Sequence, residues 1–213
     1  MAAARKKAGK KPAAASARRP ARAQDAPPPC EEISSRHQDI LDAAAALFAA
    51  RGYQATSVRD IGERVGLLGG SLYHYIKSKE ILFVTVHDRA LASAAARIGA
   101  AIAPCTDPWE RLRAASVALA EIQLDPFSTT TPMMNDFRLL PPSLQTRLIE
   151  TRDRFEALFD TLVRDIPLPA DVDRKIYRLS LLTLLNNLSG WYRPGGMTPA
   201  QIGDEVMKIF RPR

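Results

Sequence analysis

The chain has 213 residues, 46% of them hydrophobic, with 30 Lys+Arg against 23 Asp+Glu for a formal net charge of +7, enough chain for a substantial core in one or two domains. No apolar run approaches the roughly 18–20 residues of a membrane helix. The charged, Pro-interrupted N-terminus has neither the apolar stretch of a secretory signal nor the amphipathic period of a transit peptide, so the expectation is a cytoplasmic protein without a membrane partner. Two cysteines, Cys30 and Cys105, with no histidines at ligand spacing, exclude a disulfide scaffold and a metal centre.

Residues 1–30 hold eight basic groups (Arg5, Lys6, Lys7, Lys10, Lys11, Arg18, Arg19, Arg22) and one acid, Asp25; the other 183 residues hold 22 of each sign. The basic character therefore belongs to the tail. Ala, Pro, Lys and Arg dominate it, so residues 1–33 are expected to be disordered, with Pro27-Pro28-Pro29 as a stiff hinge.

Helical periodicity then begins. Ile40, Leu41, Ala44, Leu47 and Phe48 share one face, and Gly52 is placed to end the helix. Ser57 with Asp60 three residues on forms a capping box for a short helix whose inner face is Val58, Ile61 and Val65. Gly66 stops it, and Leu72, Tyr73 and Ile76 continue in another short helix. Ser78 caps a longer helix that runs to about Ala103, ahead of Pro104. Residues 107–125 are helical. Residues 126–142 are broken by four prolines, with a turn or short helix around Met133–Leu139. Helical spacing resumes from Ser143 to Ile166, again over a nearly all-apolar 171–192, and over 198–210. No stretch alternates with period two over strand length, and no internal repeat is present. The class is all-α with about nine helices.

Three helices within about 45 residues, the second and third joined by a tight Gly turn, describe a helix-turn-helix over residues 57–76. Across Ile40–Leu82, the phrases Phe48-Ala-Ala-Arg-Gly-Tyr53, Thr56-Ser-Val-Arg-Asp-Ile61, Gly70-Ser-Leu-Tyr-His-Tyr75 and Lys77-Ser-Lys-Glu80 resemble the DNA-binding domain of the TetR family of bacterial transcriptional regulators. The resemblance implies a DNA-binding domain over 34–83 and a ligand-binding and dimerisation domain over 84–213. The third helix exposes Ser71, Tyr73, His74 and Tyr75 while Leu72 and Ile76 face inward. Gly69 and Gly70 let the backbone approach base edges or phosphates. Tyr73 and Lys79 suit phosphate contact. By resemblance, Ser71 joins them, Arg59 and His74 read bases or phosphates, and Thr56 and Tyr75 complete the DNA-contacting set. Two alternatives stay open: Tyr73 could pack on the first helix, and Arg59 could pair with Glu63 at i+4. Where many members of the family have a Ser cap and then Lys or Gln, this chain has Leu68 and Gly69. Its cap is then backbone or Gly69 itself, and no side chain reads a base at position 69.

In the C-terminal body, Trp109, Phe127, Met133, Met134, Phe137, Phe155 and Phe159, with Leu182 and Trp191, supply adaptable apolar surface. They form either a pocket for an apolar effector or a packed core. The last two helices should form the dimer interface through Leu181, Leu184, Leu185, Leu188, Ile202, Val206, Ile209 and Phe210. Trp191-Tyr-Arg-Pro-Gly-Gly196 resembles a junction in a TetR subgroup of steroid and fatty-acid catabolism regulators responding to CoA thioesters. That implies an acyl-CoA-like effector, although the residues alone favour a simple turn-shaping role. No other cofactor is implied.

Double-stranded DNA, a second copy and an apolar small molecule are thus the expected partners of a ligand-released homodimeric repressor. The alternative is a nucleoid-like architectural protein bound through its tail. No nucleophile–base pair, metal cluster or Gly-rich phosphate loop suggests an enzyme. Residues 34–83 carry six Lys/Arg and five Asp/Glu, so nonspecific attraction falls to the tail, which spans roughly 30 Å as a coil. Deleting residues 1–30 is expected to flatten the log–log salt dependence of DNA binding by about 0.9 for each tail cation on a phosphate. Affinity for all sequences should fall alike in a salt titration; an unchanged slope would mean that the tail does not touch DNA.

Overall fold

A computed structural model describes residues 30–125 and 140–211. It contains eight α-helices among these residues, α1 (Cys30–Ala55), α2 (Val58–Arg64), α3 (Gly69–Leu72), α4 (Lys79–Ile102), α5 (Pro108–Leu124), α6 (Pro142–Asp165), α7 (Arg174–Asn186) and α8 (Pro199–Phe210), and a 3-10 turn at Leu188–Gly190. No strand occurs among them, in keeping with the all-α expectation. No described helix is long and apolar enough to cross a membrane. The basic tail before Cys30 and the expected turn around Met133–Leu139 lie outside the described residues.

Local chemistry sets most boundaries. Gly52 breaks α1 with φ 77°, a left-handed conformation that suits a residue without Cβ. Side-chain caps start α2 (Ser57), α4 (Ser78), α5 (Asp107), α7 (Asp173) and α8 (Thr198, with Gln201 closing a capping box). α7 is shorter than the expected 171–192, because Asp173 caps it late and the chain tightens into the 3-10 turn after Asn187. It is also not apolar all round: Arg174, Lys175, Ser180 and Thr183 are exposed.

The helices enclose two cores. In the first, Ile40, Ala44, Leu47 and Phe48 of α1 meet Ile61, Leu72, Ile76 and Leu82–Val86 of α4, joined by Leu140, Leu144 and Leu148. In the second, Leu91, Ala94 and Ile98 of α4 meet Leu112–Leu124, Phe155–Ile166, Leu181–Leu188 and Ile202–Met207. Both α4 and α6 therefore pass through both cores. At the seam between them, Thr151 of α6 donates its hydroxyl to Asp88 of α4 at 2.8 Å, and Arg154 donates to Thr151 Oγ1 at 2.9 Å. His87 is buried beside this pair, and burial pushes its pKa below the usual range, opposed by Asp88.

α7 is tied to its neighbours by Arg178, which meets Glu156 of α6 at 2.8 Å, and by Tyr177, whose hydroxyl donates to the Phe210 carbonyl at 2.8 Å. α8 lies closest to α5. A Cβ at Gly203 would stand 2.7 Å from Val117 Cα and 3.1 Å from Val117 Cγ2. The backbones can only separate to make room, which costs packing along both helices. We expect Gly203→Ala to lower unfolding free energy by about 1–3 kcal/mol, despite the better helix propensity of Ala. Urea unfolding would check this; an unchanged midpoint would mean that α8 does not pack this tightly.

Candidate nucleic-acid interface

The interface is built on the α2–turn–α3 unit. Ser57 Oγ accepts from the Asp60 N–H at 3.1 Å while Asp60 accepts from the Ser57 N–H at 2.7 Å. The Ser57 hydroxyl also donates to the Asp60 carboxylate at 2.7 Å, and this bond, with that from the Ser57 N–H, holds the Asp60 carboxyl below its ordinary pKa. The chain leaves α2 through Gly66, whose φ of 69° reverses its direction, and Leu67 N–H closes onto the Gly62 carbonyl at 2.8 Å. α3 then has a single α-helical turn. It continues with i+3 bonds, His74 N–H to Ser71 O at 3.2 Å and Tyr75 N–H to Leu72 O at 2.9 Å, a tightening common at helix ends. The recognition element is thus shorter in strict α form than the expected 69–76.

So short a helix has no stability of its own. It is held by Leu72 and Ile76, both buried against Ile61 and α1, as their expected inward orientation required. Its N-cap is Leu68, which provides no side-chain hydrogen bond. Only the Leu68 carbonyl serves, accepting from Ser71 and Leu72 N–H at 2.8 and 3.3 Å.

The expected contact residues fall into distinct groups. Tyr73 is 58% exposed, so it does not pack on the first helix, and His74 is exposed beside it. Ser71 and Tyr75 are half-buried, Tyr75 against the core. A Cβ at Gly70 would meet nothing within 4 Å, leaving the approach to α3 open. Arg59 lies on the exposed face of α2 and pairs with Glu63 at 2.9 Å. The Glu63 bond raises its pKa further.

Thr56 does not belong to the set. It is 1% exposed, and its hydroxyl donates to the Gly52 and Leu47 carbonyls at 2.9 and 3.3 Å. It closes the end of α1 instead of facing solvent.

Lys79 is placed by a residue that the sequence reading did not single out. Tyr53 is buried between Phe48 and Phe83, with ring centroids at 6.0 and 5.0 Å. The Lys79 ammonium sits 4.1 Å from the Tyr53 ring centroid, a cation–π contact. Partial burial there lowers the Lys79 pKa. The Tyr53 hydroxyl donates to Glu80 Oε1 at 3.1 Å, and burial with this bond pushes its pKa up to about 12. The aromatic spacing Phe48–Tyr53 ahead of Lys79-Glu80 was the available signal.

Among the described residues, the expected effector-pocket residues lie in different places. Phe155, Phe159 and Leu182 lie in the second core. Trp109 is half-buried under the Arg211 guanidinium, 5.6 Å from its ring. Trp191 is 51% exposed on another surface. Phe127, Met133, Met134 and Phe137 lie outside the described residues.

The expected dimer residues also divide. Leu181, Leu185, Leu188, Ile202 and Val206 are buried inside the protomer. Leu184 and Phe210 are half-buried, and Ile209 is 75% exposed. A groove of about 390 Å³ runs between Leu184, Trp191, Met197, Ile202 and Ile209. It marks the apolar surface that remains free on these two helices.

A buried three-helix unit presenting Tyr73 and His74 on an open face, joined through α4 to a helical body, defines a helix-turn-helix DNA-binding regulator. Residues 40–86 match the family model described as bacterial regulatory proteins, tetR family, and residues 105–212 match the Tetracyclin repressor-like C-terminal domain. The chain belongs to the TetR family. It is 30% identical over 191 residues to the HTH-type transcriptional repressor KstR2 of Mycolicibacterium smegmatis, covering 86% of this chain and 93% of that protein. The structure of the ketosteroid transcriptional regulator KstR2 of Mycobacterium tuberculosis superposes with a TM-score of 0.67 at 26% identity, over 82% of this chain and 92% of that one. AibR in complex with isovaleryl coenzyme A and operator DNA shares the fold, with a TM-score of 0.71 at 22% identity over 82% and 97% of the two chains.

The missing side-chain cap has a measurable consequence. Leu68→Ser restores an acceptor to an orphan N–H of α3 and is expected to raise unfolding free energy by about 1 kcal/mol. Urea unfolding reads this directly; a loss of stability would show that the exposed Leu68 side chain packs on the fold.

Proposed function

We propose that this chain is a homodimeric repressor that binds a near-palindromic operator through α3 and is released by an apolar or acyl-CoA-like effector. It acts in the cytoplasm, on nucleoid DNA. The observation that carries the reading is the helix-turn-helix itself: Tyr73 and His74 stand exposed on α3 with Lys79 poised on Tyr53, in a chain similar along nearly its whole length to a named repressor. Tyr73 and Lys79 contact phosphates, Ser71 and Arg59 support them, and the Gly69-Gly70 backbone approaches the groove.

The free apolar surface of α7 and α8 supports the dimer. Ile176, Leu179, Trp191, Met197 and Ile209 are each more than a third exposed and lie on or between these two helices. Large exposed apolar surface of this kind marks an interface. A two-fold dimer through it would present two α3 elements about 34–36 Å apart, the spacing of successive major grooves.

The route from effector to operator runs through α4 and α6, which are embedded in both cores. An effector that binds better to the body in one orientation of these helices shifts the population toward that orientation. The effector class rests on the Trp191–Gly196 junction and on the ketosteroid regulator among the relatives.

The test is a footprint of the full chain on its own promoter region, followed by variants. Tyr73→Ala and Lys79→Ala should each weaken the specific complex at least tenfold. Ile209→Glu should yield monomers in light scattering and lose the footprint. If Tyr73→Ala and Lys79→Ala bind like the parent while deletion of residues 1–30 abolishes binding, the architectural alternative replaces this reading.

A further inference from the structure

The leading edge of the helix-turn-helix runs Val65-Gly66-Leu67-Leu68-Gly69-Gly70, and none of these residues carries a polar side chain. In helix-turn-helix proteins the N-terminal residues of the second helix meet the base edges. Here that end offers backbone groups and apolar surface. Val65 and Leu67 are half-buried and packed on the first core. Leu68 differs: at 82% it is the most exposed of the large apolar side chains among the described residues.

Its position is nevertheless fixed. The Leu68 carbonyl accepts two backbone bonds, from Ser71 and Leu72, and Leu72 is fully buried below it. The side chain thus projects from a rigid stem. The open space around Gly70 leaves a base-pair edge free to come close.

In the major groove, the one apolar feature of a base edge is the C5-methyl group of thymine. The geometry points to Leu68 as a specificity-determining residue that packs against a thymine methyl in each operator half-site. The inference rests on the operator-binding reading above. It adds that an A·T pair at this position is chosen by apolar contact, with no side-chain hydrogen bond from residues 65–70.

Replacing thymine by uracil removes the methyl and leaves every hydrogen-bonding group in place. The full-length chain would first select duplexes from a random pool. The recovered duplex would then be resynthesised with uracil at one thymine at a time, and affinity measured by fluorescence anisotropy. One thymine in each half-site should respond, with uracil weakening binding about fourfold, the factor for burying one methyl group. Replacement in both half-sites should multiply the factors.

In Leu68→Ala and Leu68→Ser the penalty at that thymine should vanish, while any penalty elsewhere stays. Two variants of opposite polarity guard against a local change peculiar to one of them. Uracil tolerated at every position overturns the assignment, and so does an undiminished penalty in both variants. Either result would leave operator binding intact. Failure of the full chain to enrich any sequence would instead overturn the operator-binding reading and this inference with it.

Discussion

The fold depends on α4 and α6 being shared by two cores. Leu82–Val86 and Leu91–Ile98 are consecutive faces of one helix, yet the former pack on the DNA-binding unit and the latter on the body. α6 repeats the arrangement, with Leu144 and Leu148 on one side and Phe155 and Phe159 on the other. No loose linker separates the halves, so neither core can turn without dragging the helices of the other. The Thr151–Asp88–Arg154 hydrogen bonds lie where the two cores meet. A packed core has discrete arrangements and little continuous give, which is the property a body-to-DNA coupling needs.

The recognition element shows the same logic on a smaller scale. α3 has one α-helical turn and no side-chain cap, so propensity contributes little to it. Its shape is imposed from below by Leu72 and Ile76, and from behind by the Gly66 reversal and the Ser57–Asp60 box of α2. Stability is thereby located in the buried side, and the exposed side is free to carry residues chosen for contact. Leu68, Gly69 and Gly70 are poor choices for helix stability, and local rules tend to break at functional positions.

Features encoded by neighbours in sequence were legible before the structure. Gly52, the Ser57–Asp60 box and the Ser78 cap depend on contacts within a few residues, and the inward Leu72 and Ile76 follow helical periodicity; each appears where the pattern put it. Facing relations were less legible. α7 carries leucines on both sides, so periodicity alone could not tell which side meets α5; Leu181 and Leu185 turned inward and left Leu179 and Ile176 outside. Thr56 failed for a related reason. A hydroxyl just before a capping Ser looks available, and only the fold of α1 around Gly52 shows its two carbonyl partners. The role of Tyr53 requires α4 to return beside α1, which places Lys79 on its ring.

These placements separate affinity from selectivity. The folded DNA-binding unit is almost neutral, whereas residues 1–30 hold the charge that makes the chain basic. Attraction between the tail and phosphates is long-ranged, sequence-blind and screened by salt. The contacts proposed for Leu68 and for the rigid α3 backbone are short-ranged and apolar or geometric, and salt would screen them little. Rising ionic strength therefore removes the sequence-blind part first and leaves the discriminating part nearly whole. On the proposed reading, the tail would supply the sequence-blind attraction and the fold the discrimination, with few fixed charges near the groove to blur the choice. Lys79 is the instructive case: its ammonium is held, partly desolvated, on Tyr53, which fixes the point at which its charge is presented.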